Sequence, residues 1–188
     1  MQCVKLVAVG DTGVGKSSVL YAAATHKTPD IKPPSVLENS CIVTNVDGRD
    51  INVGLWDTLA TAEYERLRPL SYPRTDVFLI CFSVDSKESF SRAESFWLPE
   101  LSYHCPNVPI LLVATKVDLR ESNKDSSLVK ISPTEGRSMA ESLKLAGYCE
   151  CSSLHLNSID QVIVEAVRAV TRPPPRIPPR RSLLCDLI

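Results

Sequence analysis

The chain has 188 residues, 44% of them hydrophobic and 23% charged, which suits one domain with its own core and argues against two. No apolar run is long enough to cross a bilayer, the opening MQCVKLVAVG runs into glycines after a stretch too short for a signal core, and Gln2 excludes N-myristoylation. The net charge of −1 hides an asymmetry: residues 172–188 hold Arg172, Arg176, Arg180 and Arg181 against Asp186, leaving 17 basic and 21 acidic residues, a net −4, on the remainder.

In chain order, apolar β-branched runs alternate with helical patterns. CVKLVAVG predicts a strand and residues 16–25 a helix; CIVTNV and INVGLW flank Asp47-Gly48 and predict a hairpin. VFLICFSV predicts a strand, with a helix from about residue 87, and PILLVAT another strand, with a helix near 134–145. YCEC and a last helix near 158–170 complete the pattern. The alternation predicts an α/β fold: a mainly parallel sheet with helices on both faces and, from the hairpin, one antiparallel edge strand. In such sheets ligands bind at the carboxyl ends of the strands. The boundary falls at Arg172, because five prolines within the next seven residues forbid a helix, so residues 1–171 form the domain and 172–188 a tail.

Gly10-Asp11-Thr12-Gly13-Val14-Gly15-Lys16-Ser17 fits G-x-x-x-x-G-K-[ST] between a predicted strand and helix, the context a phosphate loop requires. Glycines let backbone N–H groups converge on phosphates, Lys16 reaches the β and γ oxygens, Ser17 offers a hydroxyl to Mg²⁺, and Ser18 continues the helix start. Thr115-Lys116-Val117-Asp118, with Leu119 following, ends a strand; a carboxylate there accepts from N1–H and the 2-amino group of guanine, a donor pair that adenine lacks. The Lys116 stem can lie along the base. Glu150-Cys151-Ser152-Ser153 ends the next strand and offers backbone N–H to guanine O6. Taken alone, TKVD fits a solvated loop equally well; the three loops in this order point to a guanine nucleotide, and an ATP-using P-loop kinase is disfavoured. WDT at 56–58 has the look of a strand end carrying a metal-site aspartate, Asp57.

With these motifs the sequence resembles a small GTPase of the Ras superfamily, of the Rho family near its Rac and RhoG branch. Beyond the loops above, the resemblance rests on RLRPLSYP at 66–73, DVFLICFS at 76–83, HCPNVPILLVATKVDLR at 104–120, ECS at 150–152 and the terminal cysteine box. It implies a small G-domain with a six-stranded sheet, bound GTP or GDP with Mg²⁺, and two switch segments, about 27–40 and 57–74, that engage effectors, exchange factors and activators. By position it implies that Ser35 ligates Mg²⁺ and touches the γ-phosphate, that Asp57 holds Mg²⁺ through water, and that Thr28 lies beside the base.

The departures bear on turnover. Thr12 stands where the family has glycine, and Leu59-Ala60-Thr61 replaces Ala-Gly-Gln. Ala60 keeps an N–H for the γ-phosphate but loses glycine's backbone freedom, and Thr61 is too short to orient the attacking water as glutamine does. GTP is therefore expected to bind and to be hydrolysed slowly, with poor activator stimulation; the competing reading is compensation from elsewhere, such as Glu63. Thr28 replaces an aromatic residue, which predicts faster nucleotide release. Lys32, Leu37 and Ser40 replace aromatic interface anchors of Rac relatives while Glu38 keeps a carboxylate, and the segment between Asp118 and Gly136 is shorter than in Rho relatives. A scaffold that presents one surface whatever the nucleotide is the alternative to a switch.

In the tail, Cys185-Asp186-Leu187-Ile188 resembles a prenylation box with an atypical acid at its second position, and the four arginines supply the second signal for an anionic membrane. The expected location is cytoplasmic, peripheral at the plasma membrane or endomembranes. Residues 175–180, PRIPPR, match P-x-x-P-x-R, which reads as an SH3 ligand or a stiff spacer. The seven cysteines show no metal-knuckle spacing and are expected to be reduced thiols, His26, His104 and His155 gather no ligand set, and Lys and Arg form no nucleic-acid platform.

Overall fold

A computed structural model describes residues 2–29, 40–121 and 130–171. Six strands, β1 (Gln2–Val9), β2 (Ser40–Val46), β3 (Arg49–Asp57), β4 (Val77–Ser83), β5 (Ile110–Thr115) and β6 (Gly147–Glu150), form one sheet in the order β2-β3-β1-β4-β5-β6. All pairs are parallel except β2–β3, whose two-residue turn has Asp47 at φ 52° and Gly48 at φ 80°, the backbone a tight hairpin requires. The expected antiparallel edge strand is thus β2, and the sheet order puts β1 at the centre, with its carboxyl end facing the first loop.

The central strands are buried on both faces, which is why their sequences read as continuous apolar runs rather than as alternation. On one face Val4, Leu6 and Ala8 of β1 and Leu79 and Cys81 of β4 pack with α1 (Lys16–Thr25) and α6 (Leu156–Thr171). On the other, Val7 and Val9 of β1 and Phe78, Ile80 and Phe82 of β4 pack with Trp97, Leu101 and Ala140. The latter come from the helical segment after β4 and from a helix beside β6. The first runs as α2 (Lys87–Arg92), a π-helical turn (Ala93–Trp97) and α3 (Leu98–His104). A short α4 (Asp118–Glu121) and α5 (Pro133–Ser142) follow β5.

Helix starts follow local chemistry. Ser86 caps α2 by accepting from Ser89 N, and Ser132 and Glu135 form a reciprocal capping box on α5, with Pro133 at the first position. The helix predicted near 134–145 ends at Ser142, where Leu143 takes over the cap and Lys144 turns to φ 54°. Among the described residues, no helix is long and apolar enough to cross a membrane.

One close approach fixes the α5–β6 packing. A Cβ at Gly136 would meet the Tyr148 ring at 2.4 Å, and Tyr148 cannot swing freely because its hydroxyl donates to Glu150 Oε1 at 2.5 Å. Gly136→Ala is expected to destabilise the fold by about 1–3 kcal/mol through overpacking, read as a lower urea midpoint with an unchanged slope.

Candidate nucleotide-binding site

The chain leaves β1 at Val9 and re-enters regular structure at Lys16, so residues 10–15 form a loop over the carboxyl end of the central strand. Its first glycine is set by space: a Cβ on Gly10 would lie 2.2 Å from the carbonyl oxygen of Cys81 in β4. Gly13 and Gly15 have positive φ, at 79° and 99°. Lys16 turns back over the loop it follows, 6% exposed, and Nζ donates to the carbonyls of Gly10 at 2.7 Å and Asp11 at 2.8 Å. Burial pushes its pKa down, opposed by nearby acidic groups that include Asp57 and Asp11.

Parallel pairing sets Ala8 beside Asp57, which brings the last residue of β3 to the same end of the sheet. Asp57 Oδ2 accepts from Ser17 Oγ at 2.5 Å, and Oδ1 from the N–H of Thr58 at 3.0 Å. Burial pushes the Asp57 pKa up against the pull of the Ser17 hydrogen bond and the Lys16 charge. A hydroxyl and a carboxylate converging beside a lysine are hard oxygen donors of the kind Mg²⁺ takes, and both belong to the expected metal set. Its third member, Ser35, lies outside the described residues.

Between the loop and residues 58–61 lies a cavity of about 390 Å³ lined by Thr12, Gly13, Gly15, Lys16, Ser17, Ser18, Thr58, Leu59, Ala60, Thr61 and Lys116. Of the residues expected around the phosphates, Thr12, Gly13, Gly15, Lys16, Ser17, Ser18, Ala60 and Thr61 line this cavity, whereas Gly10, Asp11 and Val14 do not. Val14 is buried under the loop, and the Asp11 carboxylate is turned away to accept from Arg92 Nε and Trp97 Nε1, each at 2.9 Å, leaving its backbone for the loop.

The loops after β5 and β6, expected to read guanine, join each other beside this cavity, and of their residues only Lys116 lines it. Thr115 Oγ1 sits against the carbonyls of Val14 and Phe82, tying the end of β5 to the phosphate loop. Lys116 has φ 57° and turns its side chain to the phosphate cavity. Asp118 Oδ1 accepts from Ser152 Oγ at 2.5 Å, and Val117 N donates to Cys151 O at 3.3 Å. Cys151 and Ser152 are buried, while Ser153 and Leu119 are half-buried. Thr28 is exposed beyond the end of α1 and is not among the cavity-lining residues.

Reading the sequence missed what holds this site from behind. Arg68, 4% exposed, donates to both Glu100 oxygens (Nε 2.9 Å, Nη2 2.6 Å) and to the carbonyl of Leu59 at 3.1 Å, and lies over the Trp97 ring at 4.5 Å. Trp97 in turn holds Asp11, so one chain of contacts runs from the phosphate loop to the segment after Asp57. Arg120 similarly bonds Glu150 at 2.8 Å and the carbonyl of Ile131 at 2.9 Å, bracing the loops after β5 and β6. No spacing in the sequence marks these pairs, whose partners are 30 or more residues apart.

Other expectations can be placed. Among the described residues six cysteines are free thiols; Cys81 and Cys151 are buried, with burial pushing Cys81 up to about 12, whereas Cys3 and Cys41 are exposed. No cluster of metal-ligating side chains exists among the described residues. The segment 57–74 contains two short 3-10 turns, Ala62–Tyr64 and Arg68–Ser71, and exposes Tyr64, Leu67 and Leu70. Glu63, the candidate compensating group, is exposed on the first turn and does not line the cavity. Lys32, Leu37 and Glu38, the middle of the shortened segment (122–129) and the entire tail with residues 175–180 and Cys185 lie outside the described residues, whereas Ser40 opens β2.

A phosphate loop over the central parallel strand, an aspartate from the neighbouring strand and paired loops after β5 and β6 define a P-loop nucleotide-binding domain. The Ras family model matches residues 5–172, and the chain belongs to that family. It is thus a GTP-binding small GTPase domain, in a family whose members bind GTP or GDP with Mg²⁺, hydrolyse GTP and engage effectors and regulators.

Proposed function

We infer that this chain is a Rho-like switch that holds GTP for long periods because its hydrolysis is slow and poorly stimulated by activators. The observation that carries this reading is the shared lining of one cavity by Thr12, Ala60 and Thr61. Ser17 and Asp57 would hold Mg²⁺, which on binding neutralises phosphate charge. Lys16, buried and aimed along the loop, is placed to balance charge on the β and γ oxygens. Ala60 lines the same space, and its backbone N–H is the donor assigned to the γ-phosphate. Thr61 provides a hydroxyl but not the reach of an amide that could hold water in line with the scissile bond, and Thr12 fills room at the phosphates that glycine leaves open.

Restoring these groups tests the reading. The double variant Thr12→Gly, Thr61→Gln is expected to raise activator-stimulated single-turnover hydrolysis by about 10²–10³-fold over the parent chain. A parent chain already accelerated to that extent by a Rho-type activator would overturn it. Release is read as fast, from Thr28 in place of an aromatic ring, so a resting pool of mostly GTP is part of the same reading. Effectors bind residues 27–40 and 57–74, supported by the exposed Leu67 and Leu70. Cys185 and the tail arginines hold the protein at an anionic membrane, and residues 175–180 offer an SH3 ligand. Partner binding indifferent to GDP against a non-hydrolysable GTP analogue would favour the scaffold instead.

A further inference from the structure

The peptide group that joins Leu59 to Ala60 is held on one side only. Before it, Thr58 Oγ1 donates to the carbonyl of Ala8 at 2.7 Å and fixes the chain to the end of β1. After it, the carbonyl of Thr61 accepts from Tyr64 N at 3.0 Å to close the first 3-10 turn. Between these ties the Leu59 carbonyl accepts from Arg68 Nη1 at 3.1 Å, whereas among the described residues the N–H of Ala60 donates to nothing. The guanidinium does not depend on Leu59 for its own place. Glu100 holds it at Nε and Nη2, at 2.9 and 2.6 Å, and the Trp97 ring lies 4.5 Å beneath it.

A trans peptide is planar, and its C=O and N–H point in opposite directions. With the Leu59 carbonyl drawn toward a side chain that is 1% exposed, the N–H of Ala60 leaves on the side away from the Arg68–Glu100 pair. Leu59 and Ala60 line the phosphate cavity whereas Arg68 and Glu100 do not, which sets the cavity opposite the guanidinium. Ala60 is not among the residues of positive φ, so its Cβ is carried without backbone strain and the orientation does not call for glycine.

Resting on the reading of this cavity as a GTP site, we propose that Arg68 is a positioning residue that raises the affinity for GTP relative to GDP: by pinning the Leu59 carbonyl from the interior, it aims the Ala60 N–H at the γ-phosphate. GDP has no group for that donor, so the contact favours one nucleotide alone. Because the tie exists before nucleotide arrives, the donor is already oriented and little ordering remains to be done on binding. Without it the 59–60 peptide is free to rotate between its two outer ties, and the N–H must be re-aimed each time GTP enters.

Dissociation constants for GDP and a non-hydrolysable GTP analogue, measured on the full-length chain in Mg²⁺ by competition against a fluorescent guanine nucleotide, test this. Arg68→Lys keeps a cation for Glu100 but lacks the planar fork that lets one side chain reach both the carboxylate and Leu59. It is expected to weaken the GTP analogue about tenfold more than GDP, the order of one hydrogen bond to a charged group. Gly136→Ala, which weakens the fold at the α5–β6 contact, is expected to leave the ratio of the two constants unchanged. In the unaltered chain the Ala60 amide proton is expected to move downfield in NMR spectra when the analogue replaces GDP. Equal losses for both nucleotides in Arg68→Lys, or no loss, overturn the proposal and reduce Arg68 to a structural brace. A ratio shifted as far by Gly136→Ala, or an Ala60 signal indifferent to the γ-phosphate, overturns it as well; all of these leave the nucleotide reading standing. A chain with no affinity for either guanine nucleotide overturns both.

Discussion

Replacing Asp118 with alanine is expected to weaken GDP and GTP binding by about 10²–10⁴-fold, measured by competition against a fluorescent guanine nucleotide. Each charge-assisted hydrogen bond to the base is worth about 1.5–3 kcal/mol, and the carboxylate can accept two. The loss has a second source in the protein itself. Asp118 Oδ1 accepts from Ser152 Oγ at 2.5 Å, so its removal also takes away one of the ties between the β5 and β6 loops and leaves the buried Ser152 hydroxyl without that partner. ATP affinity should not fall in parallel, because adenine presents no matching donor pair. Equal losses for both nucleotides would show that Asp118 serves only the loop architecture.

Arg68→Ala is expected to cost about 3–5 kcal/mol of folding stability, the range for breaking a buried ion pair by removing one partner. The side chains of Arg68 and Glu100 are 1% and 13% exposed, so solvent cannot replace the lost guanidinium. Burial alone would push the Glu100 pKa up from its ordinary 4.5, but hydrogen bonds from Arg68 and Tyr72 and the Arg68 charge outweigh it and hold the carboxyl below that value. The sign of the pH dependence follows. A carboxyl depressed in the folded state contributes stability that is complete above its unfolded pKa and is lost as the pH falls from about 4.5 through the lower folded value. Urea unfolding in GDP and Mg²⁺ should therefore show wild type and Arg68→Ala farthest apart near neutrality and converging in acid. A constant gap across that range would assign the cost to lost packing on Trp97 instead of to the ion pair.

Most of the architecture was legible in the sequence, because buried parallel strands write themselves as unbroken apolar runs and the Asp47-Gly48 turn marks the antiparallel edge. The phosphate loop was legible for a related reason: its glycines and lysine are local in sequence, and their function depends on that spacing. The bracing behind it was not. Arg68 reads as one more exposed arginine in a charged stretch, and only the π-helical turn at 93–97 brings Trp97 and, one turn on, Glu100 beneath it. Asp11 shows the same limit, since its position in the motif suggested a nucleotide contact while its carboxylate is held by Arg92 and Trp97.

The 2.2 Å gap that a Cβ on Gly10 would leave to the Cys81 carbonyl makes the start of the phosphate loop an extension of the sheet. Strand spacing, not the ligand, dictates where that backbone runs, so this end of the loop cannot be re-shaped by substitution without disturbing β4. Gly13 is different: a Cβ there would meet nothing within 4 Å, and only its left-handed backbone resists change. The loop is thus an anvil at one end and adjustable in its middle, where Thr12 stands beside Gly13 in the cavity lining.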